Sequence, residues 1–154
     1  MLRTALGLSA FLLCIACALT PESSQQLILG KWSCHAESQG AIVDGKFDYM
    51  TGGKAKADAE MSVDANGMKV WVAGLLDATW GFQPDGKLIE TVTGLKVTQA
   101  KMAGRDVPPM AIGSMVQPMV NEMVVGQSTT STVVFDGATM TSTDTEGVVT
   151  TCKR

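Results

Sequence analysis

The chain has 154 residues, a formal net charge of −3 at pH 7 and no run of Lys or Arg. A chain with this charge has no basic patch that would attract nucleic acid or an anionic membrane surface, so we expect no nucleic-acid partner. The length suits one domain with a core and is too short for two, and 16 glycines with few aromatic residues are typical of short strands joined by tight turns.

Residues 1–18 have the pattern of an export signal. Arg3 supplies the positive charge at the start, and the apolar stretch 5–16 that follows is too short and wrongly flanked for a membrane span. Ala16-Cys17-Ala18 then offers a cleavage site of the A-x-A type. The pattern predicts export from the cytoplasm.

The same stretch also approximates a bacterial lipobox, Cys14-Ile15-Ala16-Cys17, in which Cys17 is acylated and becomes the mature N-terminus. The polar residues 19–26 would then form a tether between a lipid anchor and a single domain at 27–154. Two forms stay open, a soluble periplasmic protein and an outer-membrane lipoprotein held at the membrane through Cys17.

Cysteine parity predicts one disulfide. Removal of the signal takes Cys14 away and removes or acylates Cys17, so that Cys34 and Cys152 remain as the free thiols of the exported chain. Two thiols in an oxidising compartment allow one intramolecular bridge. We therefore expect a Cys34–Cys152 disulfide that closes most of the chain into one loop.

Both cysteines lie in segments that we interpret as the first and last strands, Gly30-Lys31-Trp32-Ser33-Cys34 and Thr150-Thr151-Cys152-Lys153-Arg154. If these strands are antiparallel neighbours with the cysteines opposite each other, Trp32 faces Arg154. Side chains two positions apart share a face of a strand, so the indole and the guanidinium would stack beside the disulfide as a cation–π pair.

Turn signals between these two ends recur at strand-like intervals. They are Asp44-Gly45, Gly52-Gly53, Asn66-Gly67, Pro84-Asp85-Gly86, Asp136-Gly137 and residues 144–147. This spacing predicts an antiparallel β-meander of about seven to nine strands. The final stretch divides into three of them, at 128–135, 138–143 and 148–153.

Residues 54–64 alternate strictly between apolar and polar side chains, which predicts a half-buried strand. The inner face of this strand is mostly alanine, so either a neighbouring element packs close to it or some interior volume stays unfilled. Further strands are predicted at 68–72, 76–82 and 88–99, with Gly74 as a bend or bulge between the first two.

Residues 109–125 depart from the strand pattern. Their apolar residues recur at helical spacing: Ile112, Met115, Val116, Met119, Val120, Met123 and Val124. The spacing predicts an amphipathic helix before the last three strands, in which Pro118 either kinks the helix or begins a second one and Gly126 ends it. We expect the face of Met115, Met119 and Met123 to pack against the inner side of the sheet and to border a pocket.

Catalytic and metal-binding patterns are lacking in the sequence. His35 is the one histidine of the chain and adjoins Cys34, so neither a Ser-His-Asp triad nor a histidine-rich metal site can be assembled. Most of the aspartates occupy turn signals, where backbone chemistry explains them. We expect no enzyme activity and no cofactor.

Thioethers suit Cu(I), which makes copper binding by methionines a minor alternative, although their helical spacing favours a core or pocket lining.

Gly30 and Trp32 match the G-x-W signature of lipocalins, and with the late Arg154 and a disulfide-closed meander the chain resembles the lipocalin and wider calycin barrels. It is also similar to small bacterial exported proteins that begin with a Gly-x-Trp-x-Cys strand and end with a Cys-x-Arg strand. The resemblance implies a mainly β fold, with an antiparallel meander that forms a lipocalin-like barrel or a strongly curved sheet. The helix departs from the lipocalin pattern, because it precedes the last three strands and does not follow the eighth strand.

A lipocalin-like barrel implies a cavity for a small apolar ligand and no catalysis. The candidate ligand-binding residues are Trp80, Phe82, Met115, Met119 and Met123, with the methionine helix as a lid, a plug or a simple cap. A second class of function stays open, an inhibitor or immunity-type module that binds a periplasmic protein, because a small disulfide-closed β-scaffold suits it equally well. An enzyme is the third class, and the sequence provides no catalytic group for it.

Overall fold

One antiparallel sheet of nine strands forms most of the protein. The computed structural model describes residues 20–38, 40–65 and 67–154, so the signal segment and Cys17 lie outside the described residues. The strands are β1 (Gly30–Ser38), β2 (Ala41–Met50), β3 (Lys54–Ala65), β4 (Met68–Phe82), β5 (Leu88–Met102), β6 (Arg105–Asp106), β7 (Ser128–Asp136), β8 (Thr139–Asp144) and β9 (Val149–Lys153). In the described ranges, no helix has the length and apolar character that a membrane crossing requires.

The sheet closes on itself as a barrel. Strands β1 to β5 pair in chain order, β9 returns beside β1, and β8 and β7 continue the ring to β5. Because β4 also pairs with β5, the ring is closed, and the short β6 only extends the end of β5. The predicted fold class, a mainly β meander that forms a barrel or a strongly curved sheet with a helix before its last three strands, is confirmed, and the closed ring is the form that the structure adopts.

Most of the predicted turns are present. Gly53, Gly67, Gly86, Gly137 and Gly147 have positive φ angles and lie between paired strands. The turn predicted at Asp44-Gly45 is wrong, because both residues lie inside β2. A Cβ at position 45 would be 2.8 Å from the Phe47 ring, so glycine serves close packing there. The chain turns between β1 and β2 at Gly40 instead, where φ is +85°.

The two strands predicted at 68–72 and 76–82 form one continuous strand, β4. Its pairing with β3 is unbroken, whereas its register with β5 shifts between Ala73 and Gly74. Gly74 therefore marks a bulge, one of the two predicted alternatives, and a Cβ there would lie 2.6 Å from the Lys96 carbonyl oxygen. The bulge changes the register without ending the strand.

Helix α1, Pro21–Ile28, covers one end of the barrel. Thr20 caps this helix by accepting a hydrogen bond from the Ser23 backbone N–H. Ile28 is fully buried, and its carbonyl oxygen accepts a hydrogen bond of 2.7 Å from Trp32 Nε1. This corrects the prediction of a tether at 19–26, because the chain is helical from Pro21 onward. A Thr followed by Pro is a helix start, which the polar composition of the segment concealed.

The helical segment 109–124 covers the other end. It consists of α2 (Pro109–Ala111), a π-helical turn (Ile112–Val116) and α3 (Gln117–Val124), so that Pro118 falls at the start of α3. Three of its side chains, Ile112, Val116 and Val120, are buried against Val72, Val97 and Ala100 of β4 and β5. The Gln117 side chain joins the segment to β5, because its Nε2 donates to Leu95 O and its Oε1 accepts from Val97 N, both at 2.7 Å.

The predicted orientation of the methionine face is wrong. Met115 and Met119 are 70% and 43% exposed, whereas Val120 is only 2% exposed. The apolar stripe is broader than the surface it covers, and adjacent residues on a helix point about 100° apart. The row of Ile112, Val116 and Val120 faces the sheet, and the methionines one position earlier therefore point towards solvent.

Candidate functional site

The barrel contains a cavity of about 440 Å³ on the side of the helical segment. The space exists because short side chains occupy much of the inner surface: Ala36, Thr129, Ser131, Ser142 and Thr150. On β3 the alanine face is closely packed, because Ala55 stands beside Tyr49 and Ala57 beside Phe47. Close packing, one of the two outcomes predicted for the alanine face, is therefore present at Ala55 and Ala57, whereas the volume of this cavity lies beside β7, β8 and β9.

The opposite wall of the cavity is apolar. Val43, Leu76 and Val92 line it. Val43 and Leu76, together with Val124 of α3, also line a second cavity of about 170 Å³, whose lining residues are apolar apart from Glu60. The interior therefore has a hydroxyl-bearing side and an apolar side that extends beneath α3.

A carboxyl group faces this cavity from β5. The Tyr49 hydroxyl of β2 donates a hydrogen bond of 2.6 Å to Glu90 Oε1. Burial raises the pKa of Glu90 above its ordinary value of 4.5, and the hydrogen bond from Tyr49 partly opposes this rise. Burial, the charge of Glu90 and the hydrogen bond between them raise the pKa of Tyr49 well above 10.0. The pair forms a polar site within a largely apolar interior.

The charged groups of the cavity lining are acidic. They are Glu90 and Asp144, and no Lys, Arg or His among the described residues lines the cavity. Asp144 Oδ1 accepts hydrogen bonds of 2.8 Å from the backbone N–H groups of Glu146 and Val148, which is the turn role predicted for it. Turn chemistry does not explain Glu90, which lies inside a strand.

The cavity reaches solvent between the end of α3 and the start of β7. Met123 lines the cavity and is 53% exposed. Gln127 and Thr129 also line it and are exposed. Thr129 is the register partner of Glu90, so the carboxyl group lies just inside this mouth.

Of the five predicted ligand-binding residues, Met123 is the one that lines the cavity. Trp80 and Phe82 face the interior nearer α1, and the Trp80 ring packs edge-on against Tyr49 at 5.9 Å between ring centroids. Met115 and Met119 lie on the outer surface. Sequence analysis missed Glu90, although an acid that alternates with Leu88 and Val92 along a strand already indicates a carboxyl group on the buried face.

The predicted disulfide is confirmed. Cys34 and Cys152 stand opposite each other on antiparallel β1 and β9 and are bonded. The expected stacking is also present, because Arg154 Cζ lies 4.4 Å from the centroid of the Trp32 ring. Arg154 Nη1 donates in addition to the carbonyl oxygens of Leu27 and Leu29, at 3.4 and 3.3 Å. The last residue of the chain thus joins β9 to the end of α1.

His35 lies on the outer surface. Its Nδ1 is 2.7 Å from Asp44 Oδ1 across the β1–β2 pair, and both side chains are about half exposed. Asp44 therefore makes a cross-strand contact and does not serve a turn. Within the part of the chain that the structure describes, no three His, Cys, Asp or Glu side chains form a group that could hold a metal ion.

No protein-family model matches the chain, and no curated protein is significantly similar to it. The class of protein is therefore defined by the geometry alone. It is an antiparallel β-barrel with a disulfide between its first and last strands, a helical element over each end and an acidic internal cavity.

Proposed function

We propose that the protein is a non-catalytic, exported binding protein that holds a small, mainly apolar ligand inside its barrel. The cavity of about 440 Å³ carries this proposal, because ligand sites are concave, mostly apolar spaces of roughly 300–1,000 Å³ with few polar groups. The resemblance of Gly30 and Trp32 to the lipocalin signature supports the same class of ligand.

The polar groups of the cavity favour binding over catalysis. Glu90 accepts a hydrogen bond from the Tyr49 hydroxyl. The pKa of Tyr49 is raised, so this hydroxyl keeps its proton at neutral pH. The sulfur atoms of Cys34 and Cys152 are held in the disulfide and offer no thiolate nucleophile. His35, which would be the usual general base, lies outside the barrel against Asp44.

A cavity-filling variant tests the proposal. Ala36→Trp would occupy much of the cavity, whereas Leu75→Trp adds the same side chain on the outer surface, where Leu75 is 51% exposed. We expect native mass spectrometry of protein from its own host to detect a bound small molecule in the wild type and in Leu75→Trp, and none in Ala36→Trp. Equal occupancy in Ala36→Trp would contradict the proposal, as would an empty wild type that binds no apolar probe.

Protein binding is the second candidate, and the exposed methionines of the helical segment support it. Met110, Met115 and Met119 are 87%, 70% and 43% exposed, and methionine is an adaptable contact at binding surfaces. An inhibitor or immunity-type module would bind its periplasmic target through this face. A Met115→Glu/Met119→Glu variant should then lose a co-purified protein partner and keep its cavity ligand.

Copper binding stays a minor alternative on the same face, and Cu(I) titration of this variant tests it.

Export of the chain is part of the proposal, and residues 1–18 support it. We expect incorporation of radiolabelled palmitate that Cys17→Ala abolishes if the protein is an anchored lipoprotein. A mature N-terminus at Leu19 without label would identify the soluble periplasmic form. Retention of the whole chain in the cytoplasm would contradict both forms.

A further inference from the structure

We propose that the cavity selects a cationic amphiphile, an aliphatic amine whose ammonium group pairs with the Glu90 carboxylate while its apolar chain lies against Val43, Leu76 and Val92. This inference rests on the proposed ligand-binding function and names the chemistry of the ligand. It comes from the distribution of charge, hydrogen-bond acceptors and apolar surface around the cavity.

The Glu90 carboxyl group has unused capacity to accept hydrogen bonds. Among the described residues, the Tyr49 hydroxyl is the group that donates to it, at 2.6 Å. An ionised carboxylate offers about four acceptor positions, and an ammonium group carries three donors. Because the lining contains no Lys, Arg or His in the described ranges, a ligand cation would be the charge partner of the carboxylate in its ionised form.

The same lining discriminates against anionic ligands. Glu90 and Asp144 both line the cavity, and carboxylates that line a poorly solvated space repel an anion that enters it. A fatty acid would place a third carboxylate beside them. The cavity is therefore unsuited to fatty acids, although its apolar wall would accept their chains.

The positions of the polar and apolar surfaces indicate how the amine enters. Glu90 is paired in register with the exposed Thr129 at the mouth, so the ammonium group stays at the entrance. Val43 and Leu76 line the main cavity and also the second cavity of about 170 Å³, which accepts the end of the chain. The main cavity of about 440 Å³ holds roughly 15 non-hydrogen atoms at the ~30 Å³ that a water molecule occupies in the liquid.

Three probes with one tail and different head groups test this inference: dodecylamine, dodecanol and dodecanoate. Isothermal titration calorimetry on the mature, ligand-free protein at neutral pH should show dodecylamine binding about tenfold or more tightly than dodecanol, as expected for a charge-assisted hydrogen bond. Dodecanoate should bind most weakly. Glu90→Gln should remove the preference for the amine and keep the affinity for dodecanol. Glu37→Gln, the same change on the outer face of β1, should leave all three affinities unchanged.

The wild-type protein provides a second measurement that needs no substitution. Affinity for dodecylamine should fall as the pH is lowered and Glu90 takes up its proton, while affinity for dodecanol stays constant. The other titratable groups of the lining are Tyr49 of β2 and Asp144 of β8, and Asp144→Asn shows whether the second carboxylate contributes.

The outcomes separate this inference from the function on which it rests. Binding of dodecanol or dodecanoate as tightly as the amine would overturn the amine assignment and leave ligand binding intact, as would an amine preference that persists in Glu90→Gln. Failure of all three probes to bind would overturn both proposals.

Discussion

The Glu90 carboxyl group is ionisable yet largely enclosed by the barrel. Because burial raises its pKa above the ordinary 4.5, the folded protein binds this proton more tightly than the unfolded chain does. By linkage, the contribution of Glu90 to stability is fully present below the unfolded-state pKa and is lost as the pH rises through the folded-state pKa. Tyr49 stays neutral over this range, because its own pKa is raised well above 10.0.

A pH series on Glu90→Gln measures this effect. The amide removes the charge and keeps an oxygen that can accept the Tyr49 hydrogen bond. We expect the ligand-free variant to melt at a higher temperature than the wild type at pH 7, and the difference to shrink as the pH falls to 4, where the wild-type carboxyl group becomes neutral. Thermal melts followed by circular dichroism check this, with the exposed Glu37→Gln as control. A difference that does not change with pH would assign the effect to packing.

Arg154 stabilises the fold through two kinds of contact at once. Arg154→Ala removes the stacking on Trp32 and the hydrogen bonds to the Leu27 and Leu29 carbonyl oxygens. We expect the free energy of unfolding to fall by about 1–2 kcal/mol in urea denaturation. Lys153→Ala, at the exposed neighbouring position, should change it by less than about 0.5 kcal/mol. Equal effects of the two changes would show that the guanidinium contacts are not stabilising.

In the helical segment 109–124, adjacent residues differ sharply in burial. Val120 lies against the β4–β5 cluster, whereas Met119 points towards solvent. The same segment is fixed to β5 by the Gln117 side chain, so its rotation about its own axis is determined. Its inner row closes the barrel, and its outer row is free for other contacts.

Paired alanine substitutions test this assignment. Val120→Ala removes two methyl groups from a buried site and should lower the free energy of unfolding by about 2 kcal/mol. Met119→Ala should change it by less than about 0.5 kcal/mol, because nearly half of the side chain is already in water. Chemical denaturation of both variants gives the comparison. A larger loss of unfolding free energy in Met119→Ala than in Val120→Ala would show that the methionine face packs against the sheet, as the sequence predicts.

For the whole molecule, the disulfide joins strands β1 and β9 across 118 residues of chain. It lies at a seam of the ring, where the last strand meets the first. The bridge therefore restricts the unfolded chain over nearly the entire domain, which is the condition under which a disulfide stabilises most on the chain-entropy model.

Removal of both thiols measures this contribution. A Cys34→Ser/Cys152→Ser variant should lose about 2–5 kcal/mol of stability. A reducing agent should lower the melting temperature of the wild type and leave that of the variant unchanged. Peptide mapping without reduction that recovered Cys34 and Cys152 as free thiols from protein folded under oxidising conditions would contradict the bridge.

Much of the barrel follows from local patterns. The last three strands lie within one residue of their predicted bounds, because alternation with period two and the turns at Gly137 and Gly147 involve neighbouring residues only. The pairing of Trp32 with Arg154 follows from the disulfide, since one known register position sets the others on antiparallel strands. The turn predicted at Asp44-Gly45 is wrong because Asp-Gly also occurs where a strand needs a small residue for close packing.

The amino-acid sequence was therefore sufficient for the strand order at the two ends, the disulfide and the presence of a helix before the final strands. Closure of β4 onto β5, the choice of the valine row of the helix as its inner face, and the cavity were decided by tertiary packing. Glu90 and Tyr49, 41 residues apart, meet because the ring brings β5 and β2 face to face. Local periodicity says which side chains share a face of one element, whereas the volume left between elements depends on how distant segments fit together.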